Sequence, residues 1–448
     1  MTNRTKENIK SVIIVVLFLT TILLLYLVFA KSADVNIKNL LPHQKQEEVL
    51  DAVLAKDVAV PKEAVYSNGS GAYISANEKD RLFEKALAFF ASASNQGTMM
   101  VSEVSLAEYE EAVHHAESLS FNFDYSIPFS EFIKTYEIKR ASGFANINSI
   151  SAFVFSGSDA NNIIAADYFT GKYFRIVYES ERAWKDEILL GREPSGESSY
   201  RIEQVLGLGA GALVPVSTSR KTEEIVFITE DYSEESPILK SVASTVFGNN
   251  FSFVRRIHDN FGNLTFMYGY GGKTLSSNAN GSLEYKQTDL QNGSSNGFYG
   301  DLQTAVNFIA ACGGFNVNKN STQFILAGAE KDTSSDSYTF YFMQELDGEV
   351  VYTERPFAVM VRVEKGQVSS YLRQAIYANR SYAQREEVLQ AANAIIQSRF
   401  GFDLSVTAEN LVSISTCYKE KDGNLVPSWM LRFADGSTEW IGLKRSQY

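Results

Sequence analysis

Four histidines, two cysteines and a few glycine-rich turns are the residues of this chain whose types suit chemistry. His114 and His115 lie beside Glu110, Glu111 and Glu117, side chains that can hold a metal or pass a proton. A helical metal site needs ligands four residues apart, as in H-x-x-x-H, and no such pair occurs. A solvated helix face is therefore expected for both. His258 follows Arg255 and Arg256 in a polar turn, and His43 stands near the N-terminus; neither has a Cys or His beside it. Gly207-Leu208-Gly209-Ala210-Gly211-Ala212 approximates a dinucleotide-binding turn, but no strand–helix–strand pattern surrounds it. Gly272-Lys273-Thr274 matches the end of a phosphate loop, yet the glycine that should open the loop is Met267. Strand-like runs flank this triplet where a helix should begin. Cys312 and Cys417 are too few for a disulfide framework and read as two small buried apolar residues, with a bridge the lesser alternative. Nothing singles out a pair among the 53 acids for glycoside chemistry. The residues point to a binding or regulatory protein, not an enzyme, with no cofactor and no metal. Two alternatives stay open at this point: a membrane-tethered cell-envelope enzyme, and a ligand-binding or peptidase-inhibiting module.

Any such role must suit the way the chain is held. Ser11 to Ala30, SVIIVVLFLTTILLLYLVFA, is an uncharged apolar run of 20 residues. As a helix rising about 1.5 Å per residue it spans roughly 30 Å, the hydrocarbon thickness of a bilayer. Fifteen of its residues are Val, Ile, Leu or Phe, whose insertion energies outweigh the cost of Ser11, Thr20, Thr21 and Tyr26. A cleaved signal peptide would have a shorter core and a small-x-small site, and Ala30-Lys31-Ser32 is a poor one. The run reads as a retained single-pass anchor. Arg4, Lys6 and Lys10 crowd its N-terminal side, while Lys31, Lys38 and Lys45 are spread out beyond it. The positive-inside rule then puts the N-terminus in the cytoplasm and the body outside the cell membrane. Thr20, Thr21 and Tyr26 are the polar groups deep in the segment, and so the expected contacts with a partner helix.

The body beyond Lys31 carries 37 basic and 52 acidic residues, a net of −15. Such a surface does not attract nucleic acid or anionic headgroups. Its length exceeds one core and suits several domains. Residues 35–76 form a polar stretch broken by Pro42 and Pro61. A helix is expected from Ser75, boxed by Glu78, with Leu82, Phe83, Ala86, Phe89 and Phe90 on its apolar face. A second is expected from Ser105, boxed by Glu108, with Leu106, Tyr109, Val113, Ala116 and Leu119 at helical spacing. Strand-like runs follow over 121–125, 151–155, 165–168 and 173–178, with a hairpin at Asp167 to Phe174 turning on Thr170-Gly171. Further on, 224–229, 264–268 and 282–285 read as strands and 238–247 as a helix. The turn-rich loop Gln291 to Gly300 is a plausible boundary.

Past that loop a unit recurs. Ala305 to Ile309 aligns with Ala391 to Ile395, Tyr341 to Gln344 with Trp429 to Arg432, and Asp347-Gly348 with Asp435-Gly436. Each copy reads as a helix followed by antiparallel strands with an Asp-Gly turn. The expected class is α+β: a cytoplasmic tail over 1–10, a transmembrane helix over 11–30 and a juxtamembrane segment over 31–74. Three extracytoplasmic α+β domains then cover 75–185, 186–300 and 301–448, the last with the duplicated unit.

Several passages together resemble the YycH/YycI family of Gram-positive membrane proteins that regulate the WalK (YycG) sensor kinase. Lys6-Glu7-Asn8-Ile9-Lys10-Ser11-Val12-Ile13 is similar to that family's entry into its membrane helix. Phe123-Asp124-Tyr125-Ser126-Ile127-Pro128 resembles the pre-proline segment of the YycH first domain. Phe247 to Arg256, Asn263 to Tyr268 and Gly281 to Tyr285 resemble the middle of YycH, and Val426-Pro427-Ser428-Trp429 its C-terminal modules. The likeness touches all three parts of the chain, while residues 32–72 have no clear counterpart. It implies a non-enzymatic regulator with three α+β domains outside the cell, cell-envelope homeostasis as the process, and a WalK-like sensor histidine kinase and a YycI-like membrane protein as partners. It carries over no catalytic residues.

Overall fold

A computed structural model describes Thr20 and residues 53–157, 162–179, 183–201, 213–215, 221–222, 225–317, 322–346, 349–353, 357–374, 376–380, 387–388, 411–422, 424–433 and 437–442. The chain divides into two units, Met1–Ala52 and Val53–Tyr448. In the first, Thr20 is helical and exposed. Among the described residues no helix is long and apolar enough to cross a membrane, and the rest of 11–30 lies outside them.

The second unit is α+β, built on two large sheets. Its helices are α1 (Ala55–Val58), α2 (Lys79–Gln96), α3 (Leu106–Glu110), α4 (Phe129–Thr135), α5 (Pro237–Phe247) and α6 (Gly297–Ala311). Among the described residues the first sheet has nine strands: β1 (Glu63–Asn68), β2 (Ala72–Ala76), β3 (Met100–Val104), β4 (Glu117–Pro128), β5 (Ser149–Ser156), β6 (Asn162–Asp167), β7 (Lys172–Val177), β8 (Gly196–Arg201) and β9 (Leu213–Pro215). They run β3-β7-β6-β5-β4-β1-β2-β8-β9, antiparallel throughout. On β4 the alternate residues Leu119, Phe121, Phe123, Tyr125 and Ile127 are buried. Phe83 of α2 meets the rings of Phe121 and Phe123, and Phe90 meets Phe153 of β5. On the opposite face α3 and the π turn Glu111–His115 cover Ala152, Val154, Ile164 and Ala166 with Tyr109. This double cover explains why β5 reads as an almost unbroken apolar run instead of an alternating one.

A short pair, β10 (Lys221–Thr222) with β23 (Glu387–Val388), stands apart from the second sheet. That sheet opens with β11 (Ile225–Thr229), β12 (Arg255–His258), β13 (Leu264–Tyr268), β14 (Lys273–Ser277) and β15 (Leu283–Gln287). β16 (Asn316–Val317), β17 (Thr322–Asp332), β18 (Ser337–Leu346), β19 (Glu349–Tyr352), β20 (Val359–Glu364), β21 (Gln367–Arg373) and β22 (Ile376–Arg380) follow. β24 (Leu411–Lys421), β25 (Asn424–Phe433) and β26 (Thr438–Gly442) complete the 15 strands it has among the described residues. Its main order is β12-β13-β14-β15-β21-β20-β18-β19-β24-β25-β11-β22, and β19 with β24 is a parallel pair. α5 and α6 lie on one face, where Leu239, Val242, Leu302, Val306 and Ile309 are buried.

Several expectations change. The segment expected as a polar stretch holds β1 and β2 in the interior of the first sheet from residue 63 onward. Ser75 caps no helix, because Ser75 pairs with Val65 on one side and Glu197 on the other. The helix starts at Lys79 instead. The second helix does begin with the Ser105/Glu108 box, whose bonds measure 3.3 and 2.9 Å, but it ends at His115. Leu119, expected on its apolar face, belongs to β4, since the chain from Glu117 pairs with β1 and from Ser118 with β5. Strands from 186–300 divide between the sheets: β8 and β9 extend the first, and β15 pairs directly with β21 in the second. Of the recurring unit, α6 and the hairpins β17–β18 and β24–β25 are present in one sheet. The second copy's helix and both Asp-Gly turns lie outside the described residues.

Candidate functional site

The polar residues expected in the membrane helix come first. Thr20 is helical and exposed, while Thr21 and Tyr26 lie outside the described residues. Of the histidines, His114 departs from expectation. It is half-buried in the π turn, its Nδ1 3.1 Å from the Tyr73 hydroxyl and its ring edge-on to that tyrosine. Burial, then the charges of Arg201 and His115, bring its pKa down to about 4. It is a neutral packing group near pH 7. His258 lies on β12, not in a turn, with Nε2 3.4 Å from Glu234. Among the described residues no three His, Cys, Asp or Glu side chains gather to hold a metal.

Cys312 and Cys417 are free and buried, and burial pushes both thiols up to about 12. Neither is a thiolate at neutral pH. After Gly272 comes β14 and not a helix, so that triplet cradles no phosphate. The turn-rich loop hides a further pattern, Gly293-Ser294-Ser295-Asn296-Gly297, which satisfies the G-x-S-x-G of a nucleophile elbow. Ser295 Oγ, however, donates to Asp301 at 2.6 Å, and the amides of Asn296 and Gly297 donate to Asp301 and Ser295. The loop is a hydrogen-bonded turn that starts α6, with an aspartate where a catalytic base would stand.

The strongest polar cluster was invisible in the sequence. Arg373, at the end of β21, is fully buried and donates from Nε and Nη2 to both oxygens of Glu230 at 2.6 and 2.7 Å. Its other donors reach the carbonyls of Gly314 at 2.9 Å and Gly313 at 3.4 Å. Its guanidinium sits 5.0 Å from the Phe324 ring. Tyr232 donates to Glu230 from the far side. The fork, the carboxylate and the helix-end carbonyls satisfy one another, so the cluster braces β11, β21 and the end of α6. No sequence signal marks it beyond a charged residue on a strand with an otherwise apolar inward face.

Beside this brace opens a polar cleft of about 500 Å³, lined by Glu230 to Glu234, His258, Leu264 and Asn278 among others. Glu234 faces both Arg256, at 3.5 Å, and His258. Asp231 accepts the Ser233 amide at 2.9 Å, which holds its carboxyl below the usual range. Among the described residues the cleft reaches His258 of β12, the strand that ends the sheet.

Residues 7–188 match the family model described as the YycH protein, N-terminal domain. Among solved structures the fold is similar to the crystal structure of YycH from Bacillus subtilis, with a TM-score of 0.55 and 14% identity. That alignment covers 87% of this chain and 96% of that one, and at this identity it speaks for the fold. Among curated proteins, none matches this sequence. Residues 7–188 are thus a YycH-like N-terminal domain, and the fold of the chain is similar to that of YycH.

Proposed function

We propose that this chain is a membrane-anchored, non-enzymatic regulator of a two-component sensor histidine kinase of the WalK (YycG) type, acting in cell-envelope homeostasis with a YycI-like membrane protein. The observation that carries this reading is the YycH match over residues 7–188, which includes the apolar segment 11–30. YycH is known as a regulator of that kinase system. In this reading the N-terminus is cytoplasmic, the helix over 11–30 spans the cell membrane and the body stands outside. A single helix can lie against a kinase helix through packing and side-chain hydrogen bonds, with Thr20, Thr21 and Tyr26 as the contact. The protein then biases the kinase between signalling states by binding one more tightly than the other. A differential affinity of about 1.4 kcal/mol shifts that equilibrium tenfold.

The test is genetic. Deleting residues 36–448, and separately replacing 11–30 with an unrelated membrane helix, should each change expression of kinase-controlled wall genes. Unchanged output in both strains would sink the proposal. Cross-linking from Thr20 or Thr21 in intact membranes should capture the kinase or the YycI-like protein.

A further inference from the structure

Among the described residues β12 ends the second sheet and pairs on one side only, with β13. All four of its residues are exposed. An edge strand leaves a row of backbone N–H and C=O groups unpaired, which is a template for another extended chain. The first sheet treats its edge β3 differently. There the 3-10 turn Ser142–Asn146 presses so close that a Cβ on Gly143 would come 2.6 Å from the Val101 Cβ. Glu103 of β3 is also paired with Lys172 at 2.6 Å.

Proteins usually guard a bare edge with charged side chains, prolines, bulges or a covering element, and an edge rich in exposed apolar groups is open to association. Here such apolar groups collect. Phe253 is 75% exposed, Ile257 41%, Phe261 84% and Tyr270 fully so, all within one short stretch around β12 and β13. Charge then selects what fits. Side chains alternate along a strand, and Arg256 and His258 point to Glu234, with Arg256 also over the ring of Phe266 at 5.7 Å. Arg255 and Ile257 therefore share the other face. Arg255 has no ion pair or side-chain hydrogen bond among the described residues, and its cross-strand neighbour is Met267. An uncompensated guanidinium next to unpaired backbone groups and an exposed isoleucine favours a strand carrying a carboxylate and, two residues on, an apolar side chain.

We propose that β12 is a docking edge that takes an extended acidic segment of a protein partner by strand addition, with a carboxylate on Arg255 and an apolar side chain on Ile257. The inference rests on the reading that the body works through protein contacts. It adds which edge is used and the chemistry of what pairs there.

Two synthetic peptides, Thr-Glu-Thr-Val-Thr-Glu-Thr and Thr-Lys-Thr-Val-Thr-Lys-Thr, are titrated onto the full chain in lipid nanodiscs, with hydrogen exchange followed at residues 253–258. The Glu peptide should bind and slow exchange there. Arg255→Glu, at an exposed site and with an unchanged melting curve, should weaken it about tenfold and favour the Lys peptide instead. Equal binding of the two peptides, or no response to charge reversal, overturns the proposal. So does self-association that Arg255→Glu abolishes, since the occupant is then a second copy. In cells, Arg255→Glu with Ile257→Glu should alter kinase-controlled expression as deleting the body does. If the deletion alone has an effect, the docking edge fails and the regulatory reading stands. If the peptides bind by charge and neither strain responds, the edge stands and the regulatory reading fails.

Discussion

Arg373 and Glu230 show how one buried pair is held in place. Each charge loses its hydration, and what offsets that loss is the bidentate contact plus bonds to Tyr232 and the helix-end carbonyls. Removing one member strands the other in an apolar interior. Arg373→Met should therefore cost about 3–5 kcal/mol in urea unfolding, and Arg373→Met with Glu230→Leu should cost clearly less than the single change. Equal losses would mean that the cluster's value lies in packing alone. His114 sets a pH dependence at the same scale. Its folded pKa of about 4 lies below its ordinary value, so the unfolded chain takes up the proton first. The stability it supports is complete above pH 6.5 and falls away as pH drops toward 4. Melting curves of His114→Gln should lose part of that acid sensitivity. A curve that keeps it all would place the sensitivity elsewhere.

The elements differ in how openly the sequence announces them. α5 has Ser236 as its cap, Pro237 in its first turn and Gly248 after it, and its observed span agrees with the periodicity. The β6–β7 hairpin likewise follows from its aromatic strands and Gly171, whose φ of 64° suits the turn. Both signals are local, and nothing in the tertiary structure opposes them. The Ser75 box was equally plausible on paper and failed, because two neighbouring strands compete for the same backbone. The genuine box at Ser105 makes a direct comparison. Ser105→Ala should cost about 1 kcal/mol and raise hydrogen exchange across α3, whereas Ser75→Ala should leave the start of α2 unchanged. α6 is the element on which most depends. Phe298 at its first turn stacks on Tyr125 of the first sheet at 6.2 Å and meets Phe340 of the second at 5.7 Å. Phe298→Ala should cost about 3–5 kcal/mol in denaturant unfolding, with exchange rising in both sheets. Loss confined to one sheet would contradict that bridging role.

For the whole molecule, the described residues share a core. One apolar cluster runs from Leu82 through Phe153 and Leu302 to Tyr371, across both sheets. α6 also receives the start of the unit, since Gln303 bonds the amide of Ala55 at 2.8 Å and the carbonyl of Val53 at 3.2 Å. Glu131 accepts the Tyr299 amide at 3.2 Å. A fragment of residues 53–188 would lose both α6 and β8, the outer partner of β2. We expect it to melt without cooperativity and to bind hydrophobic dyes, where Val53–Tyr448 unfolds in a sharp transition. A sharp transition in the fragment would show that the first sheet closes its core unaided.

The sequence by itself determined what depends on neighbours along the chain: the apolar run over 11–30, the caps, the turns, the strand and helix periods, and a likeness to YycH spread over several passages. Those signals act over a few residues, and local sterics and burial suffice to read them. The tertiary structure alone decided which strands pair, that β15 lies on β21, that Arg373 finds Glu230 across 143 positions and that β12 ends its sheet among the described residues. Such pairings follow from topology and register, where many strands of similar composition compete for the same partner. Only the packed chain chooses among them.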